Sequence, residues 1–272
     1  MGMERTVDEY VQRIVSVFHE AKRVLSDDGT LWLNLADSYA SRPSWGRGGN
    51  SQLQGRKHDA AQITADSDHR VFDRSPKNLL GIPWRSAFAL QDDGWILRSE
   101  IIWHAANKMP ESVTDRPTKA HEQIFMFCKQ ARYFYDNDAV REPLSQASVL
   151  RLHQRIESQR GSDRVPGKGN GAMKAVGDVT LGRNMRDVWE INTQPFTGAH
   201  FATFPTALPE RCIKAGSRIG DVVLDPFSGS GTTGQAANKL GRRYVGIDLN
   251  EEYLAMSLRT RLSARPLIEG AA

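Results

Sequence analysis

The chain has 272 residues, 39% of them apolar and 25% charged, with a formal net charge of +4. That length and balance suit a globular α/β domain carrying an insert and exclude a disordered or fibrous chain. No run of about 18 apolar residues offers a membrane span and no leader pattern opens the chain, so the expectation is a cytoplasmic protein with no membrane partner.

Two cysteines, Cys128 and Cys212, each lie in apolar surroundings. They read as reduced thiols that fill a core. No Cys/His cluster has metal-ligand spacing. The small positive charge favours an anionic partner such as nucleic acid.

Thr6-Val7-Asp8-Glu9 has the form of a capping box. Val7, Tyr10, Val11, Ile14, Phe18, Ala21 and Leu25 then recur at helical spacing, and the helix stops before Asp28-Gly29. Thr30–Leu35 reads as a buried strand. Asn34 and Asp37 fall at its C-terminal end, the edge that faces the ligand crevice in open α/β sheets, and are candidate site residues for that reason. From Ala40 to Ser75 the chain is polar and rich in Gly, Ser, Asp and Arg, a long loop that is either functional or without fixed structure. Pro83 opens a helix over Trp84–Gln91. Ile96–Trp103 and His121–Lys129 read as strands, with a turn at Asn107–Ser112 between them. Tyr133-Phe134-Tyr135 is placed to close the second as a hairpin.

Residues 141–186 differ from the rest. They hold nine Lys/Arg, four acids and no Phe, Trp or Tyr, and six glycines fall between Gly161 and Gly182. Such a segment can barely bury a core of its own. One reading is a solvated loop. The other is an insert that grips phosphates through Arg151, Arg155, Arg160, Arg164, Lys168 and Lys174, since Lys/Arg contacts dominate nucleic-acid affinity. Without aromatics it cannot stack bases, so sequence would be read at groove edges.

Arg186–Ile191 returns to a strand pattern. His200-Phe201-Ala202-Thr203-Phe204-Pro205 leads into a helix over Thr206–Ala215. The apolar run Val222-Val223-Leu224 then ends in Asp225-Pro226-Phe227-Ser228-Gly229-Ser230-Gly231-Thr232-Thr233-Gly234. An Ala-rich helix follows, and a second apolar run, Tyr244–Ile247, ends in Asp248. Strand, glycine turn, helix, strand and acid make a nucleoside-type site. The glycines fit G-x-G-x-x-G, and Asp248 lies about 20 residues on, where a ribose-binding carboxylate belongs. A P-loop needs Lys-Ser/Thr after its last glycine; Gln235 stands there instead. An NAD site fits the spacing, although the acid-Pro-Phe lead is not part of that fingerprint. Leu249-Asn250-Glu251-Glu252 starts a last helix.

The ordered set resembles the β-class site-specific DNA amino-methyltransferases, which methylate cytosine N4 or adenine N6. The segments that carry the resemblance are Gly29–Tyr39, Gly81–Arg85, Met109–Lys119, His200–Pro205 and Asp225–Thr233. The resemblance implies a Rossmann-like α/β fold with the motif order circularly permuted, S-adenosylmethionine as cofactor and double-stranded DNA as partner, the protein being a monomer or a homodimer. It implies a cofactor site of Asp225, Pro226, Phe227, Gly229, Gly231, Thr232, Thr233, Asp248 and Asn250, with His200, Phe204 and Pro205 covering the amino-acid end. Residues 1–140 and 189–272 become two parts of the methyltransferase domain, and 141–188 a target-recognition insert.

The family's Asp/Asn/Ser-Pro-Pro-aromatic motif, whose acceptors restore nucleophilicity to the target amine, is not present, since the sequence contains no Pro-Pro. Gly2–Thr6 resembles the lead-in to the family's first helix, so the expectation is a chain lacking the N-terminal catalytic segment. Asn34 and Asp37 are the only surrogates in view. A DNA-binding remnant without transfer activity, and an NAD-dependent enzyme, stand as alternatives.

Overall fold

A computed structural model describes residues 4, 6–40, 74–147, 149, 182–194 and 204–263. The chain divides into two compact units, Met1–Phe134 with Val188–Ala199, and Tyr135–Asp187 with His200–Ala272. The interior of the 40–75 loop, the six basic candidates between Arg151 and Lys174, and His200 lie outside the described residues. No helix among the described residues is long and apolar enough to cross a membrane.

The first unit starts as its sequence dictates. Helix α1 (Val7–Val24) opens on a complete capping box: Thr6 Oγ1 accepts the Glu9 amide at 3.1 Å, and Glu9 Oε2 accepts the Thr6 amide at 3.3 Å. Acids stand in its first turn and Lys22 and Arg23 in its last, matched to the helix dipole. Val7, Val11, Ile14 and Phe18 form its buried stripe. Strand β1 (Thr30–Leu35), helix α2 (Ile82–Asp92) and strands β2 (Ile96–His104), β3 (His121–Cys128) and β4 (Val188–Glu190) follow. The sheet order is β1-β3-β2-β4. β3 is antiparallel to both neighbours, while β4 runs parallel to β2. β3 is buried from Ile124 to Cys128 because it has a strand on each edge and side chains packed on each face. Ile14 and Phe18 of α1 and Ala87 and Leu90 of α2 join Leu33, Trp95, Phe125 and Phe127 in one core. Trp103 Nε1 donates to the Ile191 carbonyl at 2.8 Å, which satisfies a buried indole.

The hairpin expected at Tyr133–Tyr135 does not form. Both edges of β3 are taken, so no ladder is left for a returning strand. The Phe134 amide donates instead to the Asp28 carbonyl at 2.8 Å, in the turn before β1.

The second unit holds helix α3 (Ala207–Gly216), strand β5 (Val222–Asp225), helix α4 (Thr232–Lys239), strand β6 (Arg243–Gly246) and helix α5 (Glu251–Ser257), which runs into a π-helical turn at Leu258–Leu262. β5 and β6 are parallel neighbours, paired Val222–Arg243 through Asp225–Gly246. α4 is their crossover, as a parallel pair requires. Ile213 of α3 and Ala236 and Ala237 of α4 pack with Val223 and Tyr244. β5 and β6 form a sheet of two strands, and no described strand pairs with the far edge of β5. Cys128 and Cys212 are free and buried, as fillers should be; enclosure pushes the Cys212 thiol up to about 12.

Candidate functional site

The site grows from the end of β5. The chain must turn at once from strand into α4, and two residues make the turn in left-handed backbone, Gly229 at φ 49° and Gly231 at φ 78°. Gly231 is also a contact point. A Cβ there would lie 2.8 Å from the Ser257 Cβ, so α5 rests directly on the loop. Gly234, one turn into α4, faces the Tyr244 ring with room for hydrogen only. The three glycines thus serve the tight turn, a close approach and helix-on-strand packing.

Two carboxylates organise the loop. Asp225 Oδ1 accepts the Phe227 amide at 2.9 Å. Burial pushes this carboxyl above the usual aspartate value, and the neighbouring Asp248 charge adds to the rise; the Thr233 hydroxyl and the Phe227 amide pull it back in part. Asp248 follows β6. Its Oδ2 accepts the Gly229 amide at 2.8 Å and its Oδ1 the Asn250 amide at 2.8 Å. Asn250 in turn caps α5, its Oδ1 accepting the Glu252 amide at 2.9 Å. Backbone bonds lace the loop to both strands: Ser228 N–H donates to the Ile247 carbonyl and Ile247 N–H to the Asp225 carbonyl, each at 2.9 Å.

Side chains that the sequence pattern did not single out complete the frame. Tyr244 OH donates to Ser228 Oγ at 2.9 Å. Burial first, then the Asp225 charge, pushes the Tyr244 hydroxyl up to about 12. Arg261, in the π-helical turn, donates to Thr232 Oγ1, which also lies 3.2 Å from Ser230 Oγ. Tyr244 sits in a run that reads as plain strand, and Arg261 carries no local signal. Around this polar floor, apolar side chains stand open: Phe227 is 49% exposed, Ile247 52% and Leu249 99%. They offer faces to a flat apolar ligand.

The structure therefore gathers Asp225, Pro226, Phe227, Gly229, Gly231, Thr232, Thr233, Asp248 and Asn250 on one loop and its two flanking strands. Phe204 and Pro205 immediately precede α3, where the Pro205 carbonyl accepts the Leu208 amide at 3.1 Å.

Asn34 and Asp37 belong to the first unit, and both are committed to structural bonds. Asn34 Nδ2 donates to the Gln123 carbonyl at 3.1 Å and to Glu122 Oε2 at 3.3 Å. Asp37 Oδ1 accepts the Ile82 amide at 3.1 Å and the Ser38 amide at 2.9 Å, which ties the turn to the start of α2. Lys119 Nζ donates to the Asp37 carbonyl at 2.8 Å, and burial lowers that ammonium. Among the described residues no group of three or more His, Cys, Asp or Glu could hold a metal ion.

A family model described as DNA methylase matches residues 1–259. The type II methyltransferase M.Cfr9I of Citrobacter freundii is 44% identical over 258 residues, which cover 95% of this chain and 73% of that protein. M.SmaI of Serratia marcescens, also a type II methyltransferase, is 40% identical over 265 residues, 97% of this chain and 78% of that protein. Among solved structures, the cytosine-N4-specific PvuII DNA methyltransferase superposes with a TM-score of 0.62 at 17% identity, covering 100% of this chain and 78% of that one. The M1.HpyAVI–SAM complex superposes at 0.50 and 17% identity, covering 92% and 82%.

Proposed function

The chain belongs to the DNA methylase family, whose model spans nearly all of it, and from that premise we propose how its residues serve methyl transfer to DNA. The glycine loop and Asp248 bind S-adenosylmethionine. The donor set fits that group. Asp248 stands at the end of β6, where a ribose diol can add its two donors to the amides the carboxylate already takes. Phe227, Ile247 and Leu249 offer apolar surface to a purine. Two carboxylates, close enough for one charge to raise the other's pKa, favour a cationic ligand and oppose a polyphosphate. When bound, the cofactor supplies an electrophilic methyl group on a sulfonium.

The chain's own part is to hold and align. Asp225 fixes the loop through Phe227 N–H, the Asp248–Gly229 bond sets its distance from β6, and His200, Phe204 and Pro205 cover the amino-acid end. Alignment of the methyl group with a DNA amine then supplies much of the rate. The acceptor is the exocyclic amino group of cytosine or adenine in double-stranded DNA, taken out of the stack to be reached. The basic residues Arg151, Arg155, Arg160, Arg164, Lys168 and Lys174 grip the backbone phosphates. The late position of the glycine loop reflects a permuted motif order, with residues 1–140 supplying the part of the domain on the target-base side. Asn34 and Asp37, held in structural bonds, are not assigned to amine activation.

The observation that carries this reading is the Asp248 carboxylate, held 2.8 Å from the Gly229 amide beside open apolar side chains. Asp248→Ala removes the acceptor for both loop and ribose. Hydrogen bonds to a charged group are worth about 1.5–3 kcal/mol, so titration calorimetry should show S-adenosylmethionine affinity falling about 10- to 100-fold. An unchanged affinity contradicts the assignment.

A further inference from the structure

The two ends of the basic segment meet at one carboxylate. Glu142 and Arg183 face each other as an isolated antiparallel bridge, each amide donating to the other's carbonyl, at 2.9 and 2.8 Å. The Glu142 side chain then gathers three more donors. Its Oε2 accepts from Arg183 Nε and from Arg186 Nε, both at 3.0 Å, and its Oε1 accepts the Arg186 amide at 3.2 Å. The returning chain comes this close because residue 182 is glycine: it holds φ +80°, and a Cβ there would lie 2.4 Å from the Glu142 carbonyl oxygen. Arg141 pairs with Asp138 at 2.7 Å, and Asn137 Nδ2 donates to Asn184 Oδ1 at 3.0 Å. The foot of this neck is pinned to α3, where the Asp136 amide donates to the Ala215 carbonyl at 2.8 Å.

Burial and donor count separate this cluster from an ordinary exposed ion pair, which contributes little. The Glu142 side chain is only 18% exposed and takes all three donors with charge assistance. Burial alone would push its carboxyl up; the Arg186 and Arg183 bonds more than reverse that and hold it below the usual value. A segment whose ends are already joined has its closure entropy settled before any ligand arrives.

We propose that Glu142 is a positioning residue for DNA recognition, locking the neck of the 143–181 segment so that the segment's cations meet the duplex from a fixed base. This rests on the reading of that segment as the DNA grip. It assigns Arg183 and Arg186 to the neck and leaves phosphate contact to the cations between Arg151 and Lys174.

The sign of one substitution tests it. On charge alone, removing an anion from a DNA-binding protein tightens its hold on DNA. The neck predicts the opposite. Binding of a fluorescein-labelled mixed-sequence duplex by Glu142→Gln should weaken about tenfold, with the slope of log affinity against log salt unchanged and S-adenosylmethionine affinity within twofold of the parent. Gly182→Ala, which drives a Cβ into the Glu142 carbonyl, should reproduce the loss. If Glu142→Gln does not fold, Arg186→Lys, at a side chain 62% exposed, should show the same direction with its charge retained. Unchanged or tighter DNA binding by the folded variants overturns the positioning role. The double variant Lys168→Ala/Lys174→Ala examines the underlying reading separately, since each lost phosphate contact lowers the salt slope by about 0.9. An unaltered slope there removes the grip, and this proposal with it.

Discussion

The environment of Asp225 works against its ionised form. Its carboxyl is raised above the usual aspartate value by burial first and by the Asp248 charge as well, with Thr233 and the Phe227 amide offsetting only part. A carboxyl raised in the fold lends stability that is complete below the unfolded-state value and is lost as pH rises through the folded-state value. At neutral pH the ligand-free protein has therefore given up stability at this carboxyl. Asp225→Asn keeps the acceptor for Phe227 N–H and removes the carboxylate charge. Its melting temperature without cofactor should exceed the parent's at neutral pH, and the gap should close as pH falls below the usual aspartate value. A lower melting temperature at neutral pH would contradict this account of Asp225. Residues of this kind were legible in the sequence because their demands are local: Gly229 and Gly231 supply backbone that side chains resist, and Asp248 sits at a fixed distance along the chain from them. Tyr244, Ser257 and Arg261 were not legible, because tertiary packing alone brings them to Ser228, Gly231 and Thr232.

Helices and strands show the same division. α1 could be read in full, since its capping box, apolar stripe and terminal charges all lie within its own sequence. The hairpin at Tyr133–Tyr135 could not be judged locally; whether a strand accepts a partner depends on what already sits at its edges, and β3 has β1 and β2 there. The α4–β6 contact is the element-scale feature most open to test. Gly234 puts helix backbone against the Tyr244 ring, where an added Cβ would lie 2.5 Å from Tyr244 Cε1 and 2.6 Å from Leu262 Cδ2. Gly234→Ala gains about 1 kcal/mol of helix propensity, while forcing a methyl into a filled contact costs about 1–3 kcal/mol. The ring cannot swing away cheaply, because its hydroxyl is bonded to Ser228. Denaturant unfolding should show a net loss of stability, accompanied by weaker cofactor binding as the loop shifts. A variant more stable than the parent would mean that helix and strand are not in close contact there.

At the scale of the whole molecule, the chain divides into two compact units whose boundaries do not follow sequence order, since Val188–Ala199 returns to the first unit. Length and composition gave an α/β protein of this size, and the ordered motifs gave the family. The parallel β5–β6 pair follows from its strand–helix–strand pattern, but the four-stranded ladder among the described residues was beyond sequence reading, because pairing across long separations leaves no periodic trace. The central claim is that the crossover from β5 through α4 to β6 holds a sulfonium nucleoside. Titration calorimetry of the intact chain tests it most directly. The account predicts saturable, one-to-one binding of S-adenosylmethionine and of its demethylated product, with no heat from NAD under the same conditions. Folded protein that binds neither sulfur nucleoside, or that takes up NAD in their place, would contradict it.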